Sequence, residues 1–201
     1  MTGKTHITLG AAAALLLLHP ASVPGILTAA AGGAAGGRIV DIDAKELGID
    51  RKKVCGAAVD VLLFVALAAL DFAVGDGMCR AVLENRGVRL WGGLAGLLLL
   101  GFLGSRSGHR TFTHSLLSMV LFSAAAYCFC PPAGLPFLMG YGSHLLADLT
   151  NRRGLQLFFP LRRKYSLKLC VHNQKANRVL FRVTLAVDLA AGALLLALAL
   201  R

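Results

Sequence analysis

The sequence predicts an all-α integral membrane protein, a helical bundle of about five or six short spans with a polar site at the membrane edge. Three observations predict it. The 201 residues are 56% hydrophobic and only 15% charged, whereas soluble domains run nearer a quarter charged. The apolar residues fall in runs separated by short polar connections. Four of the six histidines, His6, His109, His114 and His144, each lie at the edge of such a run.

The length suits one membrane domain, 1–201. The formal net charge is +11. In so apolar a chain, cations belong in cytoplasmic loops beside anionic lipid, so membrane lipids are the expected partners and nucleic acid is the lesser reading. Cys55, Cys79, Cys128, Cys130 and Cys170 form no paired framework and read as small apolar fillers.

In chain order, an apolar N-terminal stretch runs to Gly37, interrupted at His19-Pro20. A basic start and a short apolar core also fit a signal peptide, but the apolar character persists beyond Pro20, so a retained, proline-interrupted membrane segment is preferred. A charged segment, 38–53, follows. Residues 55–74 form a strong candidate span in which Asp60 and Asp71, close to three helical turns apart, share a face turned to the bundle interior. Residues 76–89 form a polar connection. Residues 91–103 form an apolar run, short against the ~20 residues a crossing needs. A polar linker, 108–115, leads into the span 116–130, which Pro131-Pro132 ends. Another apolar segment, 133–149, follows. Residues 150–182 hold nine cations and no acid, which predicts a cytoplasmic location. The last span is 183–200, with Asp188 inside it.

The linker Gly108-His109-Arg110-Thr111-Phe112-Thr113-His114-Ser115 sets two histidines, a cation and three hydroxyls between apolar runs. Imidazole is the commonest metal ligand, and beside hydrocarbon it is costly unless paired or ligated. His109 fits the loop and His114 the first helical turn, with Thr113 as the cap. Arg110 suits a phosphate, which guanidinium binds bidentately, and no acid stands near it in the linker. His144 and Asp148 lie one turn apart on a helix face, a spacing that fits one shared metal and equally a histidine hydrogen-bonded to its helix neighbour. Asp41 and Asp43 project to one side of an irregular segment, as a chelating pair or a solvated acidic turn. His6 is a weaker ligand candidate. His19 and His172 read as ordinary polar residues. Together these clusters describe a polar metal site with metal-assisted hydrolysis within its reach.

Met1-Thr2-Gly3-Lys4-Thr5-His6, Asp41-Ile42-Asp43, the 108–115 linker and Gly140-Tyr141-Gly142-Ser143-His144-Leu145-Leu146-Ala147-Asp148 resemble, in order and spacing, the YdjM-like family of membrane-bound metal-dependent hydrolases. Asn151-Arg152-Arg153-Gly154 and Phe159-Pro160-Leu161 extend the resemblance. It implies a multi-pass inner-membrane protein with a divalent metal, zinc foremost, and hydrolase activity. A distant similarity to zinc-dependent phospholipase C and the single-strand nuclease group points to a phosphoester, a lipid head group among the options. On that reading His6, Asp43, His109, His114, His144 and Asp148 hold metal, Arg110 holds the phosphate, and Asp41 takes the water's proton. Two departures stand out. The family's Pro-Asp-x-Asp-His ends here in Ala44, and the glutamate of many relatives after the basic segment is replaced by Gln174-Lys175-Ala176-Asn177. These departures keep a second class in play: a non-catalytic membrane protein whose metal site is structural or vestigial, with the basic segment as a partner or lipid contact.

Overall fold

A computed structural model describes residues 3–43, 66, 69–73, 77–85, 87–168 and 174–200. The regular elements among the described residues are helices, and an isolated antiparallel bridge joins Leu155 and Tyr165. The helices are α1 Gly3–Leu18, α2 Val23–Ile39, α3 Met78–Glu84, α4 Val88–Arg106, α5 Leu116–Phe129, α6 Pro131–Leu149 and α7 Gln174–Ala199, with a 3-10 turn at Val40–Asp43. Most of the expected 55–74 span, with Cys55 and Asp60, lies outside the described residues, as do Cys170 and His172.

The proline interruption is a helical hairpin. His19 adopts a left-handed φ of 44° and breaks α1 before Pro20. Ser22 then accepts from the Gly25 amide at 3.2 Å and caps α2. Pro131-Pro132 ends α5 as expected and also starts α6, because proline suits the first helical turn. α4 reaches 19 residues by taking in both flanks of the expected run. α7 reaches 26 residues by running back into the basic segment. Among the described residues, α4 and α7 are the helices long and apolar enough to cross a membrane, while α1 and α5 are apolar but shorter. Asp71 is buried, and instead of simply lining the interior it caps α3, taking the Met78 and Cys79 amides at 3.0 and 2.7 Å.

α2 is the axis of the packing, and its glycines explain why. A Cβ on Gly33 would fall 2.4 Å from the Gly10 carbonyl oxygen, and one on Gly37 would fall 2.3 Å from the His6 carbonyl oxygen. On the neighbouring face, a Cβ on Gly36 would lie 2.1 Å from the Phe137 oxygen, and one on Gly32 would lie 2.8 Å from the Pro136 ring. The tandem pairs Gly32-Gly33 and Gly36-Gly37 thus give α2 two bare ridges, one against α1 and one against α6. Such small-residue ridges let helix backbones touch. The apolar core beside them is Val40, Phe122, Ala126, Phe137, Tyr141 and Leu145. α7 attaches to α1 through Thr5–Asn177 at 3.0 Å and Thr8–Thr184 at 2.6 Å.

Candidate metal centre

The polar linker 107–115 joins α4 to α5. Ser115 caps α5, accepting from the Ser118 amide at 3.1 Å in a capping box with Ser118. Thr113, expected as that cap, instead donates to Asp43 Oδ2 at 2.6 Å, and His114 lies before the cap and not on the first turn. The linker is held from three sides. The Gln156 amide donates to the Arg110 carbonyl at 3.1 Å, and the Leu116 amide donates to the Leu157 carbonyl at 2.9 Å. The Tyr141 hydroxyl donates to the Thr113 carbonyl. Arg110 sits in this frame at φ 65°, a conformation L-residues adopt at a cost.

Asp43, fully buried in the 3-10 turn, is the hub of the linker. Oδ1 faces His109 Nδ1 at 2.9 Å. Oδ2 takes the Arg110 amide at 3.0 Å, Thr113 Oγ1 at 2.6 Å and His114 Nδ1 at 3.2 Å. Four donors match the lone-pair sites a carboxylate offers. Burial pushes the Asp43 carboxyl up, but His114, Thr113 and His109 together hold it down at about 2. Burial pulls the His114 imidazole down, and the carboxylates of Asp148 and Asp43 more than offset this, raising it to about 9.

The other faces of these groups converge on one point. His114 Nε2 lies 3.7 Å from Asp41 Oδ1 and 3.6 Å from Asp148 Oδ2. His144 Nε2 lies 3.7 Å from Asp41 Oδ1 and 4.0 Å from Asp148 Oδ2. His6 stacks on His144 with ring centroids 3.6 Å apart, and its Nε2 is 3.9 Å from Asp148 Oδ1. These separations exceed hydrogen-bond length. They approach the roughly 3.3–3.5 Å between atoms sharing a tetrahedral ion at zinc–ligand distances. The imidazole of His144 is oriented for such a role. Its Nδ1 donates to the Gly37 carbonyl at 2.7 Å, which leaves the Nε2 lone pair facing inward. The hydrogen bond to its own helix neighbour, the other reading of His144 and Asp148, is not made. His114 Nε2, His144 Nε2, His6 Nδ1 and Asp148 Oδ1 are buried with no hydrogen-bond partner. Buried polar atoms are ordinarily satisfied, so this convergence fits a cation.

Three overlapping groups are positioned to hold a metal ion: His6, His144 and Asp148; Asp41, His114 and His144; Asp43, His109 and His114. The first two groups share His144 and the last two share His114. His109 joins only the third group, through Asp43, and its side chain is 45% exposed at the mouth. Arg110, whose linker holds no acid, finds one across the fold: Nη2 pairs with Asp148 Oδ2 at 2.9 Å. Its Nε and Nη1 remain buried and unpartnered. The sequence reading missed the Gly37 carbonyl, Thr113 as a donor to Asp43, and Tyr141. The Gly36-Gly37 pair was the one signal for the first, and the other two carry none. Asn177 accepts from Thr5, the residue before His6.

A family profile described as "YdjM inner membrane protein" matches residues 1–200. The chain is 38% identical over 79 residues to the inner membrane protein YdjM of Escherichia coli (strain K12), covering 36% of this chain and 40% of that protein. The YdjM of Shigella flexneri matches to the same extent. YvsG of Bacillus subtilis (strain 168) is 35% identical over 65 residues, covering 31% of this chain and 41% of its own length. The matched stretch thus spans about two-fifths of these relatives. No solved structure matches. The profile carries the assignment, since it takes in the hairpin, the linker and the His144–Asp148 helix together: the chain belongs to the YdjM inner membrane protein family.

Proposed function

We propose that this protein is a multi-pass, membrane-bound hydrolase that uses a divalent metal, zinc by preference, on a phosphoester. The observation that supports it best is the pair of unpartnered buried atoms His114 Nε2 and His144 Nε2, both turned toward Asp41 Oδ1 and Asp148 Oδ2, beside the unpartnered Nε and Nη1 of Arg110. Cation ligands adjoin anion donors, as a site for a phosphate ester requires. His114, His144, Asp148 and Asp41 would hold the ion, with His6 on the far side of Asp148. Bound there, it supplies Lewis acidity and a water acidified to near neutral pH.

The chain's own groups divide the remaining work. Asp43 and the Gly37 carbonyl fix the two imidazoles in their tautomers, which preserves the geometry at no cost during reaction. Arg110 offers its two unpartnered N–H groups, Nε and Nη1, to the phosphoryl oxygens while Nη2 stays on Asp148. Asp41, only 17% exposed at the edge of the cluster, is placed to take a proton from the attacking water. The test is metal analysis of purified protein beside His144→Ala, together with assays on phospholipid and nucleotide esters. The wild type is expected to retain zinc and turn over an ester, and His144→Ala to lose both. The presence of Asn177 and Ala44 supports the second reading, a non-catalytic metal site. A zinc-loaded wild type inert across those substrates would establish that reading in place of the first.

A further inference from the structure

We propose that the folded loop 151–168 is a docking surface for anionic phospholipid head groups of the bilayer in which the protein sits. This stands apart from the hydrolase reading and needs no metal.

The loop is built and not merely basic. Leu155 and Tyr165 exchange both backbone hydrogen bonds at 2.9 Å, and Gln156 Nε2 donates to the Leu161 carbonyl at 2.6 Å. The Leu167 amide returns to the Leu149 carbonyl at 2.8 Å, closing the loop on the end of α6. Its outer surface carries Arg152, Arg153, Arg162, Arg163, Lys164 and Lys168, all exposed. Among them stand Phe158, Leu161 and Leu167, exposed at 47%, 62% and 56%. A solvated loop has no reason to hold large apolar side chains outward on so firm a frame. An interfacial one does, because the apolar side chains enter the acyl boundary while the cations stay among the phosphates.

The choice of anionic lipid rests on charge complementarity and position. No acid occurs anywhere in 150–182. Arg106 at the end of α4 and Lys175, Arg178 and Arg182 at the start of α7 lie on the two helices long enough to cross a membrane, at the ends that lead into the linker and out of the basic segment. On this proposal the cations lie at membrane level, where each gains roughly fivefold from an anionic surface.

The experiment uses full-length protein in nanodiscs, with Leu161→Trp in a Trp91→Phe background as the reporter. Brominated phosphatidylglycerol is expected to quench the new indole more strongly than the same fraction of brominated phosphatidylcholine. That preference should fall at high salt and disappear when Arg162, Arg163 and Lys164 are all changed to Gln. Unchanged helical circular dichroism in each variant certifies the fold. A water-like indole emission with no quenching by either lipid would overturn the proposal. Equal quenching by both lipids would overturn the anionic part. Salt-sensitive binding of a single-stranded RNA that the triple Gln variant loses, without any lipid preference, would assign the patch to nucleic acid instead.

Discussion

In the proposed reaction Arg110 serves the substrate, yet its Nη2 is already committed to Asp148 at 2.9 Å. A buried pair that loses one member typically costs 3–5 kcal/mol. Arg110→Ala should therefore destabilise the metal-free protein by about that amount, and zinc should restore it, since a cation replaces the lost countercharge on Asp148. Thermal melts with and without zinc check this, and a larger zinc-induced shift in the variant than in the wild type is the expected result. Phosphoester turnover should fall in Arg110→Ala and recover only in part in Arg110→Lys, because an ammonium lacks the planar fork. His114 makes the site sensitive to pH. Its imidazole is raised from 6.5 to about 9, so its interactions stabilise the metal-free fold fully below pH 6.5, and that contribution is lost as pH rises through 9. A cation needs Nε2 without its proton, so zinc affinity should climb across the same window. Calorimetry showing a flat affinity there would contradict the assignment of His114 as a ligand. The ligand types were legible at this scale because histidine beside an apolar run is costly unless used. Their partners were not. The Asp148 that answers Arg110 and the Gly37 carbonyl that answers His144 are remote in sequence, and a backbone carbonyl has no residue-type signature.

At the scale of elements, the geometry of the site rests on the bare ridges of α2. Gly37→Ala places a Cβ 2.3 Å from the His6 carbonyl oxygen. Overpacking of this kind typically costs 1–3 kcal/mol. It also displaces His6 and the carbonyl that orients His144, so zinc retention should fall together with stability. Gly92→Ala is the control, since nothing lies within 4 Å of its Cβ. It should be neutral or slightly stabilising, because alanine favours the helix. Denaturation and metal content of the two variants check the contrast. The helix ends were readable where the chemistry is local, at Pro20 and at Pro131-Pro132. The start of α7 was not, because its first three turns carry Lys175, Arg178 and Arg182 and break the apolar pattern without breaking the helix. Nor was the cap of α5, where Thr113 and Ser115 are equivalent by type and only Asp43 decides between them.

At the scale of the whole molecule, the candidate centre and the basic loop share one end of the bundle, joined by the Gln156–Arg110 and Leu116–Leu157 hydrogen bonds. The nine cations of 150–182 predict that this end faces the cytoplasm. A cysteine introduced at exposed Lys164 should resist an impermeant thiol reagent in intact cells and react after lysis. Reaction in intact cells would reverse the topology and put the centre on the other side. The charge asymmetry behind this prediction was fully legible, since it depends on composition alone. The firm fold of the basic loop was not, since its Leu155–Tyr165 bridge joins residues that no periodicity relates. The ridges of α2 also impose an order in time. α1 and α2 leave the ribosome before α6 and can close on each other through Gly10, Gly33 and Gly37. The second ridge, Gly32 and Gly36, stays bare until α6 is made, and with it the lone pairs of His144 and the carboxylate of Asp148. His6 and Asp43 therefore spend much of synthesis without the groups that complete them. Capture of an ion belongs to the end of assembly, and a chain stalled before α6 is expected to be a better client for quality-control proteases than for metal.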